Sequence, residues 1–103
     1  MKTYELYKGD SFDKTIDLSK NKAQPKDSLE IRVKKNAYSS ECYYDIIFTF
    51  EEESDSYDLS ISKEKTKTFP VGKLVLEIRY NFATTKRKTK QYYLDVKVAG
   101  TNG

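Results

Sequence analysis

The sequence predicts an all-β protein, an antiparallel two-layer sandwich of about seven strands. Three observations predict it. Leu74, Leu76, Ile78 and Tyr80 alternate with Lys73, Glu77 and Arg79, and a period of two with one apolar face is the pattern of a half-buried strand. The apolar residues are rich in β-branched and aromatic types, with nine Tyr and five Phe against no Trp, a mix that favours strands. Turn-like segments recur along the chain at the spacing of sandwiches and barrels.

The strand candidates are residues 3–7, 11–18, 29–35, 42–50, 56–62, 73–82 and 89–98. In the second, Phe12, Ile16 and Leu18 share a face. In the third, Leu29, Ile31 and Val33 point inward and Glu30, Arg32 and Lys34 outward. The fourth points Tyr44, Ile46, Phe48 and Phe50 inward, and the fifth Tyr57, Leu59 and Ile61. The sixth starts after Pro70, which cannot donate to a ladder, and Gly72 permits the turn that feeds it. The seventh points Tyr92, Leu94, Val96 and Val98 inward. No window keeps the apolar spacing of a long helix, although Ser62 can cap a single helical turn over residues 62–68. Lys14 shares the face of Phe12 and Ile16. An inward lysine defends an edge strand or covers the core rim with its stem, so the second strand is expected near an edge.

The 103 residues make one domain, expected over residues 1–99, with a frayed tail at residues 100–103. Hydrophobic content is 37%, charged content 34% and net charge +3, which argues against disorder. The start of the chain is charged at once and reads as no targeting signal. No run reaches the roughly 18 apolar residues of a membrane span. The single cysteine, Cys42, cannot form an internal disulfide, in keeping with synthesis in a reducing cytoplasm.

Chemistry is sparse. Without histidine, Ser-His-Asp and Cys-His arrangements and histidine metal sites are excluded. Cys42 reads as a half-buried structural thiol. Glu51, Glu52, Glu53 and Asp55 lack EF-hand spacing and read as a solvated turn. The run Lys86, Arg87, Lys88, Lys90, beside Tyr92 and Tyr93, is the strongest nucleic-acid candidate, though one patch on a chain of small net charge is a weak footprint. No Gly-rich phosphate loop exists. No enzyme, metal or cofactor is expected.

The order of signals is similar to a known family. Lys8-Gly-Asp-Ser-Phe12 is followed by Thr15-Ile-Asp-Leu18, Leu29-Glu-Ile-Arg-Val-Lys-Lys35, a Leu-x-Ile strand at Leu59, a polar turn with Thr66, and Phe69-Pro-Val-Gly72 opening Leu74-Val-Leu-Glu-Ile-Arg-Tyr80. The sequence resembles the small Ig-like β-sandwich modules of phage and prophage baseplate and tail proteins. The family carries a glycine in its last hairpin, where this chain has Thr84-Thr-Lys-Arg-Lys88. The resemblance implies a non-enzymatic structural module, in a virion or the host cytoplasm, contacting other subunits or its own copies.

Two other functions compete. One is a carbohydrate-binding sandwich that stacks sugars on exposed Tyr38, Tyr43 or Tyr93. The other is a nucleic-acid-binding or host-inhibiting phage protein using residues 86–90. If every connection reverses the chain, the loops after the second, fourth and sixth strands share one end. Glu51, Glu52, Glu53 and Asp55 would then lie beside Lys86, Arg87 and Lys88, forming a two-signed pole suited to docking in a fixed register.

Overall fold

The computed structural model describes residues 2–83 and 87–98. Seven strands are present among the described residues: β1 (Thr3–Tyr7), β2 (Phe12–Asp17), β3 (Ser28–Lys34), β4 (Cys42–Thr49), β5 (Ser56–Ile61), β6 (Gly72–Asn81) and β7 (Lys88–Lys97). They form a five-stranded sheet in the order β1-β7-β6-β3-β4 and a two-stranded sheet of β2 and β5. Strand boundaries fall within one residue of the sequence expectation, because the alternation and the flanking turn residues are local signals. The predicted tail lies outside the described residues.

One pairing departs from an antiparallel sandwich. β1 runs parallel to β7, from Thr3 opposite Tyr93 to Tyr7 opposite Lys97. The hydrogen bond from the Lys8 amide to the Lys97 carbonyl at 2.9 Å extends that ladder. The chain then turns at Gly9, whose φ of +89° suits a residue without Cβ, and crosses to the other sheet as β2.

The core lies between the sheets. Leu29, Ile31 and Val33 of β3, Leu59 and Ile61 of β5, Leu76 of β6 and Leu94 of β7 are at most 1% exposed. Full burial of such side chains contributes roughly 1.5–3 kcal/mol each. Phe69, wholly buried just before β6, closes one end. The predicted helical turn is α1 (Lys63–Thr66), and the Ser62 hydroxyl accepts from the Lys65 amide. Thr66 is wholly buried. Its Oγ1 accepts from the Gly9 amide at 3.1 Å and lies 2.9 and 3.0 Å from the Asp10 and Lys63 carbonyls. One hydroxyl thus fastens α1 to the β1–β2 turn.

Three facings differ from the alternation rule. Glu77 is only 5% exposed although it points away from the core, because β6 is central and neighbouring side chains cover its outer face. The Glu77 carboxylate accepts from Gln91 Nε2 at 3.0 Å and lies 3.7 Å from Lys34 Nζ. Phe48 is partly exposed although its ring packs on Tyr57 of β5 at 4.7 Å between centres, because β4 is the outermost strand of its sheet and no strand flanks it on the far side. Val98 is exposed because β7 ends at Lys97.

Candidate functional site

At one end of the sandwich the loops of residues 18–27 and 50–55 are bonded into one surface. Ala23 and Ser54 exchange two backbone hydrogen bonds of 2.9 Å. The Lys26 amide donates to the Phe50 carbonyl at 2.8 Å, and the Phe50 amide donates to the Asp27 carbonyl at 2.9 Å. The Gln24–Asp27 turn is closed by the Asp27 amide bonding to the Gln24 carbonyl at 3.0 Å. Pro25 sits at its second position and Lys26, with φ +77°, at its third, the layout of a type II turn.

The carboxylate of Asp27 lies at the centre of this end. It is 3% exposed. Its oxygens accept from the Gln24 amide at 2.9 Å and the Ala83 amide at 3.0 Å. Because the Asp27 carbonyl also holds Phe50, three loops converge on one residue. Nothing in the local pattern singled out Asp27, which reads as an ordinary turn aspartate until the strands are paired.

The reversal rule holds from β2 onward. Asn81 at the end of β6 is opposite Ser28 at the start of β3, and Thr49 at the end of β4 is opposite the same residue. The ends of β4 and β6 and the start of β3 therefore lie at one pole. Glu51, Glu52, Glu53 and Asp55 are exposed there. Glu53 accepts from Gln24 Nε2 at 3.0 Å and lies 4.0 Å from Lys22 Nζ. Lys86 lies outside the described residues. Arg87 turns away from the acidic loop, and its Nε donates to Asn81 Oδ1 at 3.2 Å. Asn81 in turn donates to Glu30 at 2.7 Å, a bond that holds the Glu30 carboxyl below its usual range.

The strand period divides the basic run. Lys88, Lys90 and Tyr92 stand opposite Tyr80, Ile78 and Leu76, so they occupy the inner face of the larger sheet. Thr89, Gln91 and Tyr93 occupy the outer one. Lysines at inner positions resist burial under another layer, and the smaller sheet leaves this stretch open.

A groove results between the β2 edge and the inner face of β6 and β7. It consists of two depressions of about 310 and 210 Å³ that share Asp17, Tyr80 and Lys90. Leu76, Ile78 and Tyr92 form part of its floor, and Lys14, Lys20, Lys88 and Lys90 line its walls. Lys14 lies on an edge strand, as expected, and its ammonium sits 4.5 Å from the centre of the Tyr4 ring. Burial pushes the Tyr80 phenol up to about 12, with Tyr92 and Tyr4 adding to the effect. Burial also raises the Tyr92 phenol.

The aromatic candidates are not gathered. Tyr38 is almost fully exposed in the β3–β4 loop. Tyr43 falls at a register shift between β3 and β4 and packs on Phe69, ring centres 6.4 Å apart, against the core. Tyr93, half-buried on the outer face, lies under Lys73 Nζ at 4.9 Å. Tyr43 and Tyr93 are therefore not exposed rings, because the register shift and a neighbouring lysine cover them. Cys42 is half-buried at the start of β4. Among the described residues no group of three or more His, Cys, Asp or Glu side chains is placed to hold a metal ion. No helix among them is long and apolar enough to cross a membrane. No family model, curated protein or solved structure matches the chain.

Proposed function

We propose that this protein is a non-enzymatic module that works by protein–protein contact in a baseplate- or tail-type assembly. The strand arrangement supports the reading. Two facing sheets, β1-β7-β6-β3-β4 and β2-β5, are what this reading needs, and on it the smaller sheet is that of an Ig-like sandwich reduced to two strands. The pole carries the proposal: two loops locked by five backbone hydrogen bonds and anchored on buried Asp27 present a fixed array of charges. Such a surface needs little ordering on binding, and its alternating signs set register and encounter rate more than affinity.

The test is mass spectrometry of purified particles from cells encoding the chain, with chemical cross-linking. The expected result is the chain present as a stoichiometric component, with cross-links from Lys22 or Lys26 to another subunit. Replacing Glu51, Glu52 and Asp55 with Lys should weaken incorporation while leaving the circular dichroism unchanged. Absence from particles, or full incorporation of the charge-reversed variant, would overturn the reading.

A further inference from the structure

We infer that the groove beside β2 accepts an extended segment of a partner protein, which adds as a third strand to the smaller sheet and places acidic side chains against the groove lysines. This surface borders the loop pole and shares Lys20 with it, but the strand edge at residues 14–17 lies outside the pole, so the inference stands whether or not the pole docks a subunit.

Three observations carry it. The first is the open edge. β2 pairs only with β5, and outside that ladder no backbone hydrogen bond involves residues 12–17 among the described residues. A two-stranded sheet is the smallest possible and is marginal alone. Lys14, Thr15, Ile16 and Asp17 all line the groove. Four consecutive strand residues can do so only if the backbone edge itself forms the wall, since their side chains alternate between faces. Unpaired amides and carbonyls along an edge are the template for an added strand.

The second is charge. Lys14, Lys20, Lys88 and Lys90 form no ion pair with a carboxylate among the described residues, whereas Lys22, Lys34 and Lys97 each do. Four ammonium groups face one groove carboxylate, Asp17, which is occupied by the Ser19 amide at 2.8 Å. A strand laid along β2 points alternate side chains down at Lys88, Lys90 and Tyr92. Carboxylates there neutralise the lysines, and apolar or aromatic residues between them cover Ile78 and Tyr92.

The third separates a peptide from single-stranded nucleic acid, which would also meet lysines and tyrosines. Base stacking needs free ring faces. The Tyr4 ring already has Lys14 and Lys2 ammoniums at 4.5 and 5.3 Å and Tyr92 at 5.5 Å between centres. Tyr80 packs on Phe82 at 5.8 Å. A polypeptide strand also matches the repeat of the open backbone edge and continues its ladder.

The probe is a terminally blocked peptide of about ten residues, the upper end of the strand-length range, alternating glutamate with valine and tyrosine. Fluorescence anisotropy measures its binding to the full chain, and hydrogen exchange reads the amides of residues 14–17. The expected result is one-to-one binding with slowed exchange at the alternate amides among them that point away from β5. Binding should weaken at least about tenfold for a Lys14→Glu/Lys90→Glu variant, and should be lost when alternate peptide amides are N-methylated. The methylated probe tests the wild-type chain, so it decides the matter even if the charge variant does not fold. No binding at millimolar peptide, equal affinity for the methylated peptide, or unchanged exchange at residues 14–17 would each overturn the inference. Tighter binding of an oligothymidylate would reassign the groove to nucleic acid. Concentration-dependent protection of the same amides without peptide would make the occupant a second copy of the chain.

Discussion

The Asp27 carboxylate accepts a hydrogen bond from the Ala83 amide at 3.0 Å across 56 residues of sequence. The same carboxylate holds the Gln24 amide, and the Asp27 backbone carbonyl holds Phe50. The end of β6 and the loops before β3 and after β4 are thereby joined at a residue almost sealed from water.

Asp27→Ala should destabilise the fold by about 2–4 kcal/mol, since it leaves two amides without their charged acceptor. Asp27→Asn, which keeps one acceptor oxygen, should cost less. Urea unfolding measures both. A loss below about 0.5 kcal/mol for the alanine variant would mean that water replaces the carboxylate freely.

Thr66→Val keeps the shape of a wholly buried side chain but removes the hydroxyl that serves Gly9 and Asp10. The expected loss is about 1–3 kcal/mol. Thr66→Ser should recover most of it, because the oxygen returns and only a methyl group is missing. A loss in Thr66→Ser with none in Thr66→Val would assign the effect to packing.

Lys26 holds a positive φ that glycine adopts without strain. The left-handed conformation costs an ordinary residue about 1–2 kcal/mol, partly offset by the extra freedom glycine brings to the unfolded chain. Lys26→Gly should therefore stabilise the protein by about 0.5–1 kcal/mol. A fall in the melting temperature would contradict this.

Stability should decline in alkali through Tyr80. Its folded pKa is raised to about 12 from an ordinary value of 10.0. Between those values the unfolded chain binds fewer protons than the folded one, so unfolding becomes easier as pH rises. The contribution is complete below about pH 10 and is lost as pH climbs through the folded value. Spectrophotometric titration should show a late tyrosinate that disappears in Tyr80→Phe. That variant should also lose part of the alkaline destabilisation.

Leu76→Ala or Ile78→Ala should cost roughly 2–5 kcal/mol each, as both lie at the centre of the larger sheet and are 1% and 3% exposed. Losses below about 1 kcal/mol at both sites in denaturant unfolding would show that the core collapses around the gap.

The sequence by itself determined where the strands are. Alternation over residues 74–80, Pro70 ahead of Gly72, and Ser62 ahead of a short polar run are local signals, read without knowing any partner. Counting chain reversals also placed the ends of β4 and β6 at one pole. Only the tertiary structure decided which strands pair and how far one sheet covers the other. The parallel contact of β1 with β7 is a long-range pairing that leaves no mark on residues 3–7. Glu77 is hidden because strands flank it on both sides, and Phe48 shows because none lies beyond β4. The basic run looked like one patch in sequence. The period of two sent Lys88 and Lys90 inward and Arg87 towards Asn81. Side-chain alternation is a property of one strand, whereas burial belongs to its neighbours, and those are set by contacts between residues far apart in the chain.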